Sequence, residues 1–236
     1  MGLHCYLAMT AREIHLCPKL PEKIAWMACH FSPYGTGLTG IPEKLPQGSL
    51  LIVNDRIPIR NHDSEQIIHQ LRSLTASVQP YGVLLDFQNP PNTESLYLSK
   101  AVAQALSFPV AATVPYAKEI GCGVLLPPLP LCLPLAQYLS PWKGVPVWLE
   151  VATQAQQLNI SEAGSVVTPC QVMPMPNPYF QEASYHCAYH WELKQDSAVF
   201  TIQRDLTHIS KLLQEAESLG VTCGVGLYQE LGNLIK

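Results

Sequence analysis

Short apolar runs separated by turn residues recur along the whole chain. Segments 24–29, 50–53, 82–85, 109–114, 124–126, 145–151, 198–202 and 221–226 are mostly apolar and are bounded by glycine, proline or polar residues. Unbroken apolar runs of this length read as strands covered on both faces, not as half-exposed strands that alternate polar and apolar residues. Three amphipathic segments lie between them. Ser64, with Asp63 sharing the capping role, opens a helix whose apolar face is Ile67, Ile68, Leu71 and Leu74. Thr93 opens a second, with Leu96, Leu98, Ala101, Val102 and Leu106. Thr207 opens a third, with Ile209, Leu212, Leu213 and Ala216, ending at Gly220.

Each helix is followed within a few residues by a strand, which predicts parallel strands joined by right-handed crossovers. About eight strand slots with only three clear helices predict an α/β fold: a small, irregular (β/α)8 TIM-like barrel with some crossover helices reduced or missing, forming one domain over 1–236. An open doubly wound sheet is the structural rival. The middle is irregular. Segment 124–141 holds Pro127, Pro128, Pro130 and Pro134 and cannot be one regular helix. Segments 158–160 and 165–167 read as a hairpin, as do 189–193 and the run from Ala198. Four prolines in 169–178 predict an extended segment.

Composition narrows the function classes. A chain of 236 residues can bury roughly 70% of its unfolded surface without a disulfide or metal. Charged residues are 14%, against about 25% in ordinary soluble domains, which suits a sheet buried on both sides. The net charge of −4 and the lack of a basic run argue against nucleic acid and against a polybasic membrane contact. No apolar run approaches the ~20 residues that span a bilayer, and His4, Arg12, Glu13 and His15 interrupt the N-terminus as a signal sequence. The expectation is a cytoplasmic protein with reduced thiols. None of the eight cysteines forms a C-x-x-C pair, so no metal and no cofactor are expected. The one local cluster, His186, Cys187 and His190, reads as residues on alternate faces of a strand.

Gly35-Thr36-Gly37-Leu38-Thr39-Gly40 fits G-x-G-x-x-G after a strand, with Asp55 beyond it. A dinucleotide site needs a helix after the glycines. Here eight residues, two of them Pro42 and Pro46, separate Gly40 from Ser49. A glycine loop at a strand end fits better, and a nucleotide-cofactor enzyme on an open sheet stays an alternative.

Polar residues follow the apolar strands at almost every turn: His30; Asn54, Asp55 and Arg56; Asp86 and Gln88; Tyr116; Asp205; Tyr228 and Glu230. Glu150 lies inside one strand. In parallel α/β folds the C-terminal strand ends converge on the ligand site, so these residues predict a cleft for a small polar ligand. Asp86 and Glu150 are the best carboxylate pair, one serving as general acid and the other as base or stabiliser. His30, Asp55, Gln88, Tyr116, Tyr228 and Glu230 are the expected ligand contacts. The structural alternatives are that Asp55 pairs with Arg56 or Arg60 and that Asp86 caps a loop at Asn89-Pro90. The oligomeric state is left open.

Segment 81–88, Tyr-Gly-Val-Leu-Leu-Asp-Phe-Gln, resembles the D-G-x-D-x-D-x-E strand of the chitinase-type (family 18) glycoside hydrolases. The resemblance implies a TIM barrel in which the final Glu is the acid and the preceding Asp orients it and the substrate amide. Gly82 matches the glycine and Asp86 that Asp. Tyr81 and Leu84 replace the earlier acids, and Gln88 replaces the proton donor. Glutamine has no proton to give a leaving group. The resemblance therefore implies either a sugar-binding barrel without chemistry or a hydrolase with relocated acids, Glu150 first among them. This strand is third among the expected strands, where the family has it fourth.

Overall fold

The computed structural model describes residues 3–34, 37–42, 45–59 and 64–232. In chain order the first elements are β1 (Cys5–Met9), α1 (Ala11–Leu16), β2 (Ile24–Phe31), β3 (Leu38–Thr39), β4 (Leu50–Asn54), α2 (Ser64–Val78), β5 (Gly82–Asp86), α3 (Thr93–Ala105), β6 (Val110–Thr113), α4 (Val114–Ile120), β7 (Gly123–Leu126), α5 (Leu135–Leu139) and β8 (Val147–Glu150). There follow β9 (Gln154–Ser161), β10 (Gly164–Pro169), β11 (Phe180–Glu182), β12 (Cys187–Lys194), β13 (Ser197–Arg204), α6 (Leu206–Ser218), β14 (Val221–Leu227) and α7 (Tyr228–Leu231).

Eight strands, β1, β2, β4, β5, β6, β7, β8 and β14, pair in parallel, and β1 pairs with both β14 and β2, which closes the barrel. This is the expected (β/α)8 TIM-like fold, and it excludes the open sheet on which the nucleotide-cofactor reading depended. The crossovers are as uneven as the sequence suggested. From β4 to β7 each strand is followed by a helix, while β2 returns through the two-residue antiparallel β3.

Two layers of apolar side chains follow from alternation along each strand. Tyr6, Ala8, Ala25, Leu50, Ile52, Leu84, Ala111, Leu125, Trp148, Cys223 and Val225 fill the barrel. Leu7, Leu51, Val53, Val83, Leu85, Val124, Leu126 and Leu149 face the helices and meet Ile67, Leu71, Leu98, Val102 and Leu212. Gly82 sits in the inner layer because an added Cβ would lie 3.0 Å from the Trp148 ring and 2.6 Å from the Pro109 carbonyl.

One expected barrel strand is misplaced. Segment 198–202 belongs to β13, in the middle of a separate antiparallel sheet ordered β10-β9-β13-β12-β11. The strand that closes the barrel is β1, whose run Cys-Tyr-Leu-Ala-Met is buried throughout. A capping box, Thr10 with Glu13, starts α1 directly after it. Counting β1 makes β5 the fourth barrel strand, the place the chitinase resemblance requires. Both expected hairpins form, as β9–β10 and β12–β13. His186 precedes β12 instead of belonging to it, in a left-handed conformation.

The antiparallel sheet is inserted between β8 and α6. Arg204, 1% exposed, ties it to the barrel. Its guanidinium donates to the carbonyls of Tyr185 and His186 at the foot of β12, to Gln154 on β9, and to the Leu129 and Pro130 carbonyls of the loop after β7.

Candidate functional site

The strand register sets the site. His30, Asn54 and Asp86 are lateral neighbours on β2, β4 and β5. Their flanking residues, Cys29, Phe31, Val53, Leu85 and Phe87, belong to the outer layer, so these three side chains turn into the barrel mouth. A register shift in β2 between Trp26 and Cys29 brings His30 into this row. Glu150 joins from β8, between Leu149 and Val151, which both face outward. Thr113 on β6 completes the inward ring, its hydroxyl donating to the Phe87 carbonyl at 2.7 Å.

Asp86 accepts a hydrogen bond from Gln88 Nε2 at 2.5 Å. Burial raises its pKa above the usual carboxylate range, the Gln88 contact works against that rise, and the Asp55 charge adds to it. Glu150 is also raised, by burial first and then by the charges of Asp86 and Glu230. Among the described residues no Lys, Arg or His forms an ion pair with Asp86, Glu150 or Glu230. Glu230, on α7, accepts from the Thr153 backbone and hydroxyl at 3.2 and 3.4 Å. His30 Nδ1 donates to the Ala28 carbonyl at 2.9 Å.

Asp86, Gln88, Glu150, Glu230 and His30 thus belong to one end of the barrel, and three predicted contacts play other parts. Asp55 is 3% exposed and holds the loop after β5: its carboxylate accepts from the backbone amides of Gln88 and Asn89 at 2.8 and 2.9 Å. It is Asp55, not Asp86, that caps this loop. Arg60, offered as its ion-pair partner, and Asp63 lie outside the described residues. Tyr116, 1% exposed, supports the same loop from α4, its hydroxyl donating toward the Asn89 carbonyl and Ser95. Tyr228 turns away from the mouth, its hydroxyl 3.5 Å from Cys17 at the end of α1. Asp205 caps α6 and binds His208 Nδ1 at 2.7 Å.

Asn54, beside Asp86 in the row, clamps β2: its Nδ2 donates to the Met27 and Cys29 carbonyls at 3.4 and 3.1 Å, and its Oδ1 accepts from the Arg56 amide at 3.2 Å. Leu50 and Ile52 point inward, so position 54 does too and Asp55 does not; the alternation along β4 carries that signal. Gly35 and Thr36 of the glycine motif lie outside the described residues. The remainder, Gly37 to Gly40, forms the β3 hairpin, and no helix lies between it and β4 among the described residues. Gly40 has φ +70°, and its carbonyl accepts from Trp26 Nε1 at 2.8 Å. Among the described residues no group of three or more His, Cys, Asp or Glu is placed to hold a metal ion. The cavities of about 510, 640 and 520 Å³ lie elsewhere, one between the loop after β7 and β9, the others at the N-terminal end of the barrel. Among the described residues no helix is long and apolar enough to cross a membrane.

No family model and no curated protein matches the chain in sequence. Solved structures match its fold over nearly the whole length. The chitinase-like agglutinin of Robinia pseudoacacia matches with a TM-score of 0.61 at 10% identity, covering 99% of this chain and 98% of the agglutinin. A mutant class V chitinase of Nicotiana tobaccum in complex with NAG4 matches with a TM-score of 0.58 at 9% identity, covering 96% of this chain and 93% of the chitinase. The spore cortex-lytic enzyme SleL of Bacillus cereus matches with a TM-score of 0.54 at 10% identity, covering 99% of this chain and 73% of the enzyme. The fold of this chain is the barrel of the chitinases and chitinase-like proteins.

Proposed function

We propose that this protein binds a sugar oligomer at the mouth of its barrel and does not cleave it by the chitinase route. The observation that carries this is the Gln88 amide bound to Asp86 at 2.5 Å. It fills the seat of the proton donor in the motif that 81–88 resembles, and it is an amide. Asp86 and His30 offer hydrogen-bonding groups in one row, which suits recognition of hydroxyl and amide groups. We also place the barrel and its inserted sheet in one domain, a reading that the Arg204 contacts support, and in the cytoplasm, a reading that the eight free cysteines support.

The test uses NAG4, the ligand held by one fold neighbour. Binding to the whole protein, followed by calorimetry and thermal shift, is expected without release of shorter sugars, and Asp86→Asn is expected to weaken it. Gln88→Glu restores a carboxyl beside Asp86, where one of the pair must hold a proton. That variant is expected to gain hydrolysis by about 10²–10⁴-fold over the parent, the usual worth of a positioned general acid. No NAG4 binding in the parent would reject the proposal.

A second reading rests on Glu150. Its carboxylate has no hydrogen bond or ion pair among the described residues, and its pKa is raised, the condition a general acid needs. Hydrolysis by the parent, abolished in Glu150→Gln, would put this reading in place of the first.

A further inference from the structure

We infer that the open edge of β10 is a self-association surface, pairing with β10 of a second copy of this chain around a twofold axis at Val167. The inserted sheet ends on β10, which among the described residues pairs only with β9, on its inner side. All six residues of β10 are exposed. Its register with β9 runs over six pairs without a shift, so no bulge turns the edge away.

The edge is also uncharged. From Ala163 to Gln181 there is no Asp, Glu, Lys or Arg. Sheet proteins usually guard a free edge with charges, bulges or prolines, and here the one guard within the strand is Pro169 at its end. A twofold interface sets the same patch against itself. A charge at the position on the axis would meet a like charge across it, which destabilises a cross-strand pair. An uncharged edge escapes this penalty, which favours a second copy over a charged partner.

The register gives the pairing. Cys170 N–H donates inward to the Ala155 carbonyl at 3.0 Å, so by alternation the even-numbered residues of β10 bond to β9. The N–H and C=O groups of Ser165 and Val167, and the Pro169 carbonyl, point to the open side. A twofold centred on Val167 sets Val167 against its own copy and Ser165 against Pro169 on both sides of the axis, so each of these two proline pairs lacks one N–H donor while the Val167 pair keeps both.

The same axis matches the apolar faces. Val167, Leu158, Phe200 and Trp191 form one row across β10, β9, β13 and β12. Val167 and Trp191 are 54% and 43% exposed. Pairing about Val167 joins this row to its copy as one continuous apolar stripe, four side chains from each chain.

The test is the molar mass of the full chain in solution, by sedimentation equilibrium over a range of concentrations. The parent is expected to dimerise. Because the axis sets position 167 against itself, Val167→Lys and Val167→Asp should each be monomeric, with unchanged circular dichroism because the side chain is exposed. A mixture of the two variants should recover a dimer containing one of each. A parent that stays monomeric throughout overturns the inference. So do single variants that dimerise as the parent does, or a mixture that stays monomeric.

Discussion

Asn54 and Asp55 adjoin in the chain and face opposite ways, and the difference decides what each can do. Asn54 lies in the inward row, its amide holding the Met27 and Cys29 carbonyls of β2, while Asp55 is buried behind it, holding the backbone amides of Gln88 and Asn89. Glu150 shows the opposite case: it is partly buried beside two other carboxylates and has no partner among the described residues to offset the burial. A carboxyl whose folded pKa lies above its unfolded value favours folding at acid pH, and that contribution is lost as pH rises through the folded pKa. Burial and the charges of Asp86 and Glu230 give Glu150 this sign. Asp205 has the other sign, its pKa lowered by bonds from Thr207 and His208 despite partial burial, so the parent's total pH profile mixes both. Comparison with Glu150→Gln isolates the first. The variant is expected to melt a few degrees above the parent at neutral pH, and the gap should close as pH falls below the ordinary carboxylate range. Thermal unfolding across a pH series checks this; a gap that does not narrow in acid would mean that Glu150 is not held at a cost. Residues kept at such a cost are more often kept for binding or chemistry than for stability.

The barrel's elements were legible where the chain obeys one period. Unbroken apolar runs gave β2, β4 to β8 and β14, and 3.6-residue spacing gave α2, α3 and α6. Segment 198–202 was read both as a hairpin arm and as a barrel strand, because a short apolar run does not reveal its partner. β1 escaped because the polar residues around it, His4 and the opening of α1, broke the run, although Thr10-x-x-Glu13 marked the helix that follows. The candidate site was legible as a set of strand ends, but the choice between adjacent positions required the phase of each strand. The β3 hairpin replaces a crossover helix for a local reason. Gly40 adopts φ +70°, and a Cβ there would lie 1.8 Å from the Ala28 carbonyl, so the hairpin packs directly on the β2 backbone. Gly40→Ala should force β3 off β2, break the Trp26 bond to the Gly40 carbonyl and displace His30. The expected cost is about 2 kcal/mol or more, from the strained φ together with the overpacking. Urea unfolding followed by tryptophan fluorescence measures it, and an unchanged midpoint would show that the backbone relaxes without loss.

At the scale of the whole molecule, a parallel barrel and an antiparallel sheet have to be held in one arrangement, and a single side chain reaches both. Arg204 is a buried cation whose partners are all neutral: four backbone carbonyls and the Gln154 amide oxygen. Burial lowers its pKa to about 10, which still leaves it charged at neutral pH. Beside it Leu131 from the barrel loop meets Cys187 and Ile202 from the sheet, with Tyr185, Tyr189 and Phe200 packed against them. Arg204→Ala would leave buried carbonyls of Leu129, Tyr185 and His186 without a donor, at about 1–3 kcal/mol for each that water cannot reach. Arg204→Lys keeps the charge but lacks the planar fork that serves carbonyls from two sides. Both variants should fall in stability, alanine by about 3 kcal/mol or more. In both, the sheet should loosen before the barrel, because β9 and β13 lose their tie while the closed ladder of eight strands does not. Hydrogen exchange followed by mass spectrometry tests the order. Early exchange confined to 154–204 is the expected result, whereas uniform acceleration across β1 to β8 would show that Arg204 supports the barrel itself and not its junction with the sheet.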